Sequence, residues 1–125
     1  MSAVLTHVCL FCDDVPELAA WYGQVLGIEP VFYGSEYAEL SAGQATLAIF
    51  ERRQQNELAP GSAAPGPNRN SIVEFRVQDV DAEYQRLLPL GHDWVKGPTT
   101  QWWGNRSVYL RDPEGNMVNL YTRVG

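Results

Sequence analysis

At 125 residues, with 45% hydrophobic and 19% charged residues, the chain has the makeup of one folded globular domain rather than a disordered segment. Its formal net charge of −6 and pI near 4.7 argue against nucleic acid as a partner, since such binding draws on clustered Lys and Arg. No apolar run approaches the roughly 20 residues of a membrane span. The N-terminus has neither a basic region nor a small-residue cleavage site, so a cytoplasmic protein without a signal peptide is expected.

The first strand is expected in T-H-V-C-L-F-C, which alternates and then runs into D-D-V-P-E, a helix start with Asp or Pro at the cap. From Pro16 to Leu26 the positions Leu18, Trp21, Tyr22 and Val25 recur at helical spacing, which makes Trp21 a core residue, and Gly27 stops the helix. Three short strands follow in E-P-V-F-Y, E-Y-A-E-L and A-T-L-A-I-F, separated by G-S and S-A-G turn signals. Residues 52 to 70 are rich in Pro, Gly and Ala and read as a mobile linker. The second half then repeats the programme. S-I-V-E-F-R-V is a strand, D-A-E-Y-Q-R-L-L-P-L a helix stopped by Gly91, and D-W-V, R-S-V-Y-L and M-V-N-L-Y are strands, with D-P-E-G as a turn before the last.

The two halves superimpose in sequence. H7-V-C-L-F-C-D-D-V lies over I72-V-E-F-R-V-Q-D-V at a constant offset of 65 residues, and L47-A-I-F over V118-N-L-Y at an offset of 71. The chain is therefore expected to be α+β, with two tandem βαβββ modules forming a cupped mixed sheet around a cleft. Module one spans about residues 4–51, the linker 52–70 and module two 71–124, all within a single domain, 1–125. Alternate residues of each strand go to the helix and to the cleft. Val8 and Leu10 are then helix-facing, with His7, Cys9 and Phe11 turned to the cleft. In the second module Val73, Phe75 and Val77 pack on the helix and Ile72, Glu74 and Arg76 do not. In the last strand Met117, Asn119 and Tyr121 face the cleft, and by the same parity so does Phe50.

Cys9 and Cys12 match the C-x-x-C pattern, but a strand sends residues i and i+3 to opposite faces, roughly 10 Å apart along it, beyond the reach of about 7 Å for a disulfide. They are read as structural thiols. Trp102 and Trp103 are adjacent at the entry to the second module's sheet, with Trp94 just upstream; at most one of the pair is expected to reach the cleft, the alternative being that they plug a sheet end or a dimer contact. Arg106 is expected to brace the D-P-E-G turn through Asp112 or Glu114, the alternative being contact with a ligand anion, and His92, after Gly91, to be a surface or cap residue.

The stretches H7-V-C-L-F-C-D-D-V, W21-Y-G-Q-V-L-G, F75-R-V-Q-D-V-D and W103-G-N-R-S-V-Y-L-R-D-P-E-G-N-M-V-N-L-Y resemble the vicinal oxygen chelate superfamily, over nearly the whole chain and in order. That superfamily includes glyoxalase I, extradiol dioxygenases and the fosfomycin and bleomycin resistance proteins. The resemblance implies a homodimer whose cleft is completed by a second chain. It also implies that metal ligands, where a member has them, come from four cleft-facing places, held here by His7, Ala48, Ile72 and Asn119. Only His7 is a good ligand, Ile72 standing where a His is usual and Asn119 where a Glu is usual. No cofactor is expected and a divalent metal is disfavoured, because a catalytic site generally needs about three protein ligands.

Two functions remain open at this stage. One is a metal-free small-molecule binding protein of the glyoxalase/bleomycin resistance type, sequestering a cationic or aromatic compound such as an antibiotic on a cleft of His7, Phe11, Phe50, Ile72, Glu74, Trp102, Trp103, Asn119 and Tyr121. The other is a divalent-metal-dependent lyase, isomerase or dioxygenase. A metal-independent variant would use His7 and Glu74 as an acid–base couple; the plainer reading of His7 is a cleft histidine bonded to a neighbouring polar group.

Overall fold

The computed structural model describes residues 2–66 and 68–125. Its elements are β1 (His7–Cys12), α1 (Val15–Leu26), β2 (Val31–Phe32), β3 (Tyr37–Ala42), β4 (Ala45–Glu51), α2 (Arg52–Leu58), β5 (Ile72–Arg76), α3 (Val80–Leu87), a 3-10 turn (Leu88–Leu90), β6 (Asp93–Thr100), β7 (Asn105–Arg111) and β8 (Met117–Arg123). Two compact units divide the chain, Met1–Pro65 and Gly66–Gly125. Each holds one four-stranded mixed sheet, of order β1-β4-β3-β2 in the first and β5-β8-β7-β6 in the second. The fold is α+β, built as two tandem modules.

The duplication holds at the level of single residues. His7 pairs with Thr46 across the parallel strands β1 and β4, and Ile72 pairs with Met117 across β5 and β8. Those pairs reproduce both offsets read from sequence.

In module one, Asp14 caps α1 by accepting a hydrogen bond from the Glu17 amide (3.0 Å), Pro16 occupies the first turn, and Gly27 closes the helix at φ 68°. Leu18, Ala19, Tyr22 and Val25 are buried on α1 against Leu10, Cys12, Ala38, Leu40, Leu47 and Ile49 of the sheet. Trp21 is only half-buried, so the core aromatic of this helix is its neighbour Tyr22. Val8 shares a face with Leu10 but is 41% exposed at the start of its strand. The second strand is shorter than E-P-V-F-Y suggests, because Pro30 has no N–H for a ladder and Gly34 turns at φ 75°.

The linker differs from expectation. R-R-Q-Q-N-E-L is composed mainly of good helix formers and forms α2. Its Arg52 is buried and ion-paired with Asp13, while Asn56 exchanges two hydrogen bonds of 2.9 Å with the backbone of Ala63. The segment 52–63 is thus tied down by its own polar side chains rather than loose.

Module two repeats the capping device, with Asp79 accepting from the Ala82 amide at 3.1 Å. The α-helix ends at Leu87 and continues as a 3-10 turn to Gly91, because Pro89 supplies no N–H to an α-helical ladder. Val80 and Leu87 are buried with Val108, Leu110, Val118 and Leu120 of the sheet. The D-P-E-G-N turn is held by Asp112, whose Oδ1 accepts from the Glu114 and Asn116 amides, both at 2.9 Å, and whose Oδ2 accepts from Asn116 Nδ2 at 2.8 Å. Among the described residues no helix is long and apolar enough to cross a membrane.

Candidate functional site

Each sheet has one face covered by its helix and an opposite face that carries the residues of interest. On module one, register sets three rows across that open face: His7 with Thr46 and Ser41; Cys9 with Ala48, Glu39 and Val31; and Phe11 with Phe50 and Tyr37, which Tyr33 extends through its backbone bond to Tyr37. The last row is aromatic from one edge of the sheet to the other. Tyr37 meets Phe50 edge-on, with centroids 5.7 Å apart, and Tyr33 at 5.9 Å.

His7 lands next to a carboxylate from its own module. Its Nε2 lies 3.2 Å from Glu39 Oε2 and its Nδ1 2.9 Å from Thr6 Oγ1. The network closes with Nε2–H donating to Glu39 and the Thr6 hydroxyl donating to Nδ1, an assignment made from the hydrogen-bond partners. The Tyr37 hydroxyl donates to the same Glu39 oxygen at 2.6 Å. Burial, followed by the bond to Glu39, pushes the Tyr37 hydroxyl up to about 12. In return the Tyr37 bond, aided by His7, holds the Glu39 carboxyl below its ordinary value. The group is therefore a carboxylate clamped by two donors, with Tyr37 locked in the protonated state.

Neither Glu39 nor Tyr37 was singled out from sequence. The signal is there: in E-Y-A-E-L the apolar Ala38 and Leu40 alternate with Tyr37 and Glu39, which places the latter two on the open face.

On module two the rows are Ile72 with Met117 and Arg111; Glu74 with Asn119 and Tyr109; and Arg76 with Tyr121 and Ser107. Ile72, Glu74 and Arg76 are exposed, Met117 and Tyr121 half-buried. Asn119 is 3% exposed, and its Oδ1 is buried with no hydrogen-bond partner, as are Ser107 Oγ and Asn105 Oδ1 on the same strand face of β7. Three orphaned acceptors on one side of a sheet are an unusual concentration of unmet hydrogen-bonding capacity.

Trp102 and Trp103 lie in the turn between β6 and β7, not on a strand, so strand parity does not sort them. They pack on each other edge-on at 5.3 Å and are 92% and 42% exposed. Trp94 stacks edge-on with Tyr84 of α3 at 4.8 Å. Arg106 does not brace the D-P-E-G turn: its guanidinium grips Asp81 at the start of α3 through Nε (2.8 Å) and Nη2 (3.0 Å), which lowers the Asp81 pKa. His92 is half-buried, with its pKa lowered by burial first and Arg86 second. Cys9 is exposed and Cys12 buried, on opposite faces and both free thiols, as strand parity requires.

The donor set fits a metal poorly. Ala48 and Ile72 end in hydrocarbon, Asn119 offers only a neutral amide, and Glu39 adds one carboxylate beside His7. Among the described residues no three His, Cys, Asp or Glu side chains come together to hold an ion.

Comparison with known proteins agrees with this fold. The family model described as "Glyoxalase/Bleomycin resistance protein/Dioxygenase superfamily" matches residues 4–120. Virulence protein STM3117 of Salmonella typhimurium is 23% identical over 93% of this chain and 81% of its own length. A bleomycin resistance protein of Geobacillus stearothermophilus is 21% identical over 89% of this chain and 90% of its own. The crystal structure of a lactoylglutathione lyase from Agrobacterium tumefaciens superimposes with a TM-score of 0.74 at 24% identity, covering 97% of this chain and 94% of that one.

Proposed function

The chain belongs to the glyoxalase/bleomycin resistance protein/dioxygenase superfamily, and from that premise we propose that it is a metal-free binder of small aromatic or cationic molecules. One observation carries the reading. Two of the four places from which metal-dependent relatives draw ligands hold Ala48 and Ile72, and among the described residues Glu39 beside His7 does not bring the set to about three.

What the open face of module one offers instead is surface for a ring. Phe11, Phe50, Tyr37 and Tyr33 supply flat hydrocarbon along one row of the sheet. Glu39 adds a fixed negative charge next to two aromatic faces, an arrangement that favours a cation once water is excluded. On module two, Glu74, Asn119 and Tyr121 provide polar and aromatic contacts of the kind that orient a ligand. His7 in this reading holds Glu39 in place. A second reading makes His7 and Glu74 an acid–base couple. The Glu39 contact weighs against it, because it already occupies Nε2.

The bleomycin resistance protein among the relatives supports a drug-sequestering role, and a homodimer in the cytoplasm belongs to the same proposal. Elemental analysis of untagged protein, followed by calorimetric titration with Zn²⁺, Ni²⁺, Mn²⁺ and Fe²⁺, tests it. The expected result is no stoichiometric uptake, together with quenching of tryptophan fluorescence by cationic aromatic compounds. Tight stoichiometric metal that is lost in His7→Ala would move the protein to the lyase, isomerase or dioxygenase class.

A further inference from the structure

We propose that module two carries a site for a small organic anion, in which Arg69 and Arg111 hold the acid group while Ile72 and Met117 pack its apolar body. The four residues, with Asn70 and Ser71, line one cavity of about 360 Å³ at the start of β5, within the size range of small-molecule sites. Register explains the floor. Ile72, Met117 and Arg111 form one row across β5, β8 and β7, so two apolar side chains and one guanidinium rise side by side from the same face.

Charge is the reason to read this cavity as more than a surface dent. In a chain of net charge −6, the guanidinium groups of Arg52, Arg53, Arg86 and Arg106 each hold a carboxylate. Arg69 and Arg111, like Arg76 and Arg123, hold none among the described residues, and of these four only Arg69 and Arg111 line the cavity. Arg111 is half-buried and braced by a bond from Nη1 to the Gly115 carbonyl (2.8 Å), and among the described residues its Nε and Nη2 hold no partner. A braced guanidinium with a free edge is set up for the paired hydrogen bonds that a carboxylate or phosphate accepts. Asn68 Oδ1 accepts from the Asn70 amide (3.2 Å) and its Nδ2 donates to Ser71 Oγ (2.7 Å), so the segment carrying Arg69 has a defined turn. Ile72 is 40% exposed on this floor, an apolar cost in water that an aliphatic ligand would relieve.

The site shares Ile72 with the metal-free reading, but its test has a separate readout. The chain has two methionines, Met1 and Met117, so ¹³C-methyl-methionine labelling places a single reporter inside the cavity. Titration with hexanoate is expected to shift the Met117 methyl resonance and to saturate. Acetate, which has the acid group without the chain, is expected to bind at least about tenfold more weakly, since about three or four buried methylenes are worth more than the 1.4 kcal/mol of a tenfold change. Arg69→Glu leaves no native bond unmade and is expected to abolish saturation, whereas Arg53→Ala on α2 is expected to leave it unchanged. Raising the salt concentration should weaken hexanoate binding. Equal affinity for acetate and hexanoate, or undiminished binding in Arg69→Glu, would overturn the proposal, as would a Met117 methyl that hexanoate does not move.

Discussion

His7 and Glu39 stand 32 residues apart in sequence and meet at 3.2 Å on the open face of module one, with Tyr37 closing on the same carboxylate oxygen at 2.6 Å. The consequence is a tyrosine that resists ionisation. Tyr37 is expected to titrate late, at about 12 in place of 10.0. Because the folded-state value is raised, the associated stability is fully present below pH 10 and is lost as pH climbs through about 12. Tyrosinate absorbance followed against pH should show a late component that is lost in Tyr37→Phe and moves to lower pH in Glu39→Gln. A wild-type titration with no such component would remove the clamp.

Asp112 anchors the turn into β8 with three hydrogen bonds from buried or half-buried donors. In Asp112→Ala the Asn116 amide and side chain and the Glu114 amide lose their acceptor together. Bonds to a charged group are worth about 1.5–3 kcal/mol each, and the neighbours share the loss, so we expect destabilisation of about 2–4 kcal/mol. Asp112→Asn, which keeps one acceptor oxygen, should cost less. Urea unfolding of both variants decides it, and a loss below about 1 kcal/mol in Asp112→Ala would show that water replaces the side chain.

The architecture was legible because it is written twice. The offsets of 65 and 71 coincide with the strand register at His7–Thr46 and Ile72–Met117, and a period-2 pattern flanked by Asp caps and Gly stops leaves little freedom. What sequence did not yield were choices made across space. Strand alternation put His7 on the right face but could not say which strand would supply its partner; β3 lies two strands from β1, and Glu39 reaches His7 across Ala48, whose small side chain leaves the way clear. Arg106 is similar: a nearby acidic turn looked like its partner, but α3 brings Asp81 closer. The helix in 52–58 was hidden by the Pro and Gly that follow it, because composition averaged over 52–70 dilutes seven helix-compatible residues.

Asn119 Oδ1 is buried without a partner beside the orphaned Ser107 Oγ. An unmet acceptor of this kind costs about 1–3 kcal/mol, whereas a leucine of similar volume meets no such penalty. In the ligand-free protein Asn119→Leu is therefore expected to be neutral or to stabilise, raising the urea midpoint without changing the slope. The same variant should weaken any ligand that relies on the amide. If Asn119→Leu instead destabilises by more than about 1 kcal/mol, ordered water already satisfies the oxygen and the site is less in need of a ligand.

Trp102 is 92% exposed at the tip of the β6–β7 turn, and its neighbour Trp103, although packed against it, is 42% exposed. Trp94, by contrast, is half-buried against Tyr84, and Trp21 is half-buried on α1. Fluorescence should thus contain a red-shifted, readily quenched part owed to Trp102. Trp102→Ala is expected to remove most of the acrylamide-accessible emission. As an exposed turn residue outside the core, it should change stability by no more than about 0.5 kcal/mol. Comparing quenching at low and high protein concentration adds a second reading: if two chains associate through this turn, the accessible emission falls as concentration rises, and Trp102→Ala abolishes the change. Emission that is poorly quenched at every concentration would show that the turn packs its tryptophan away in solution.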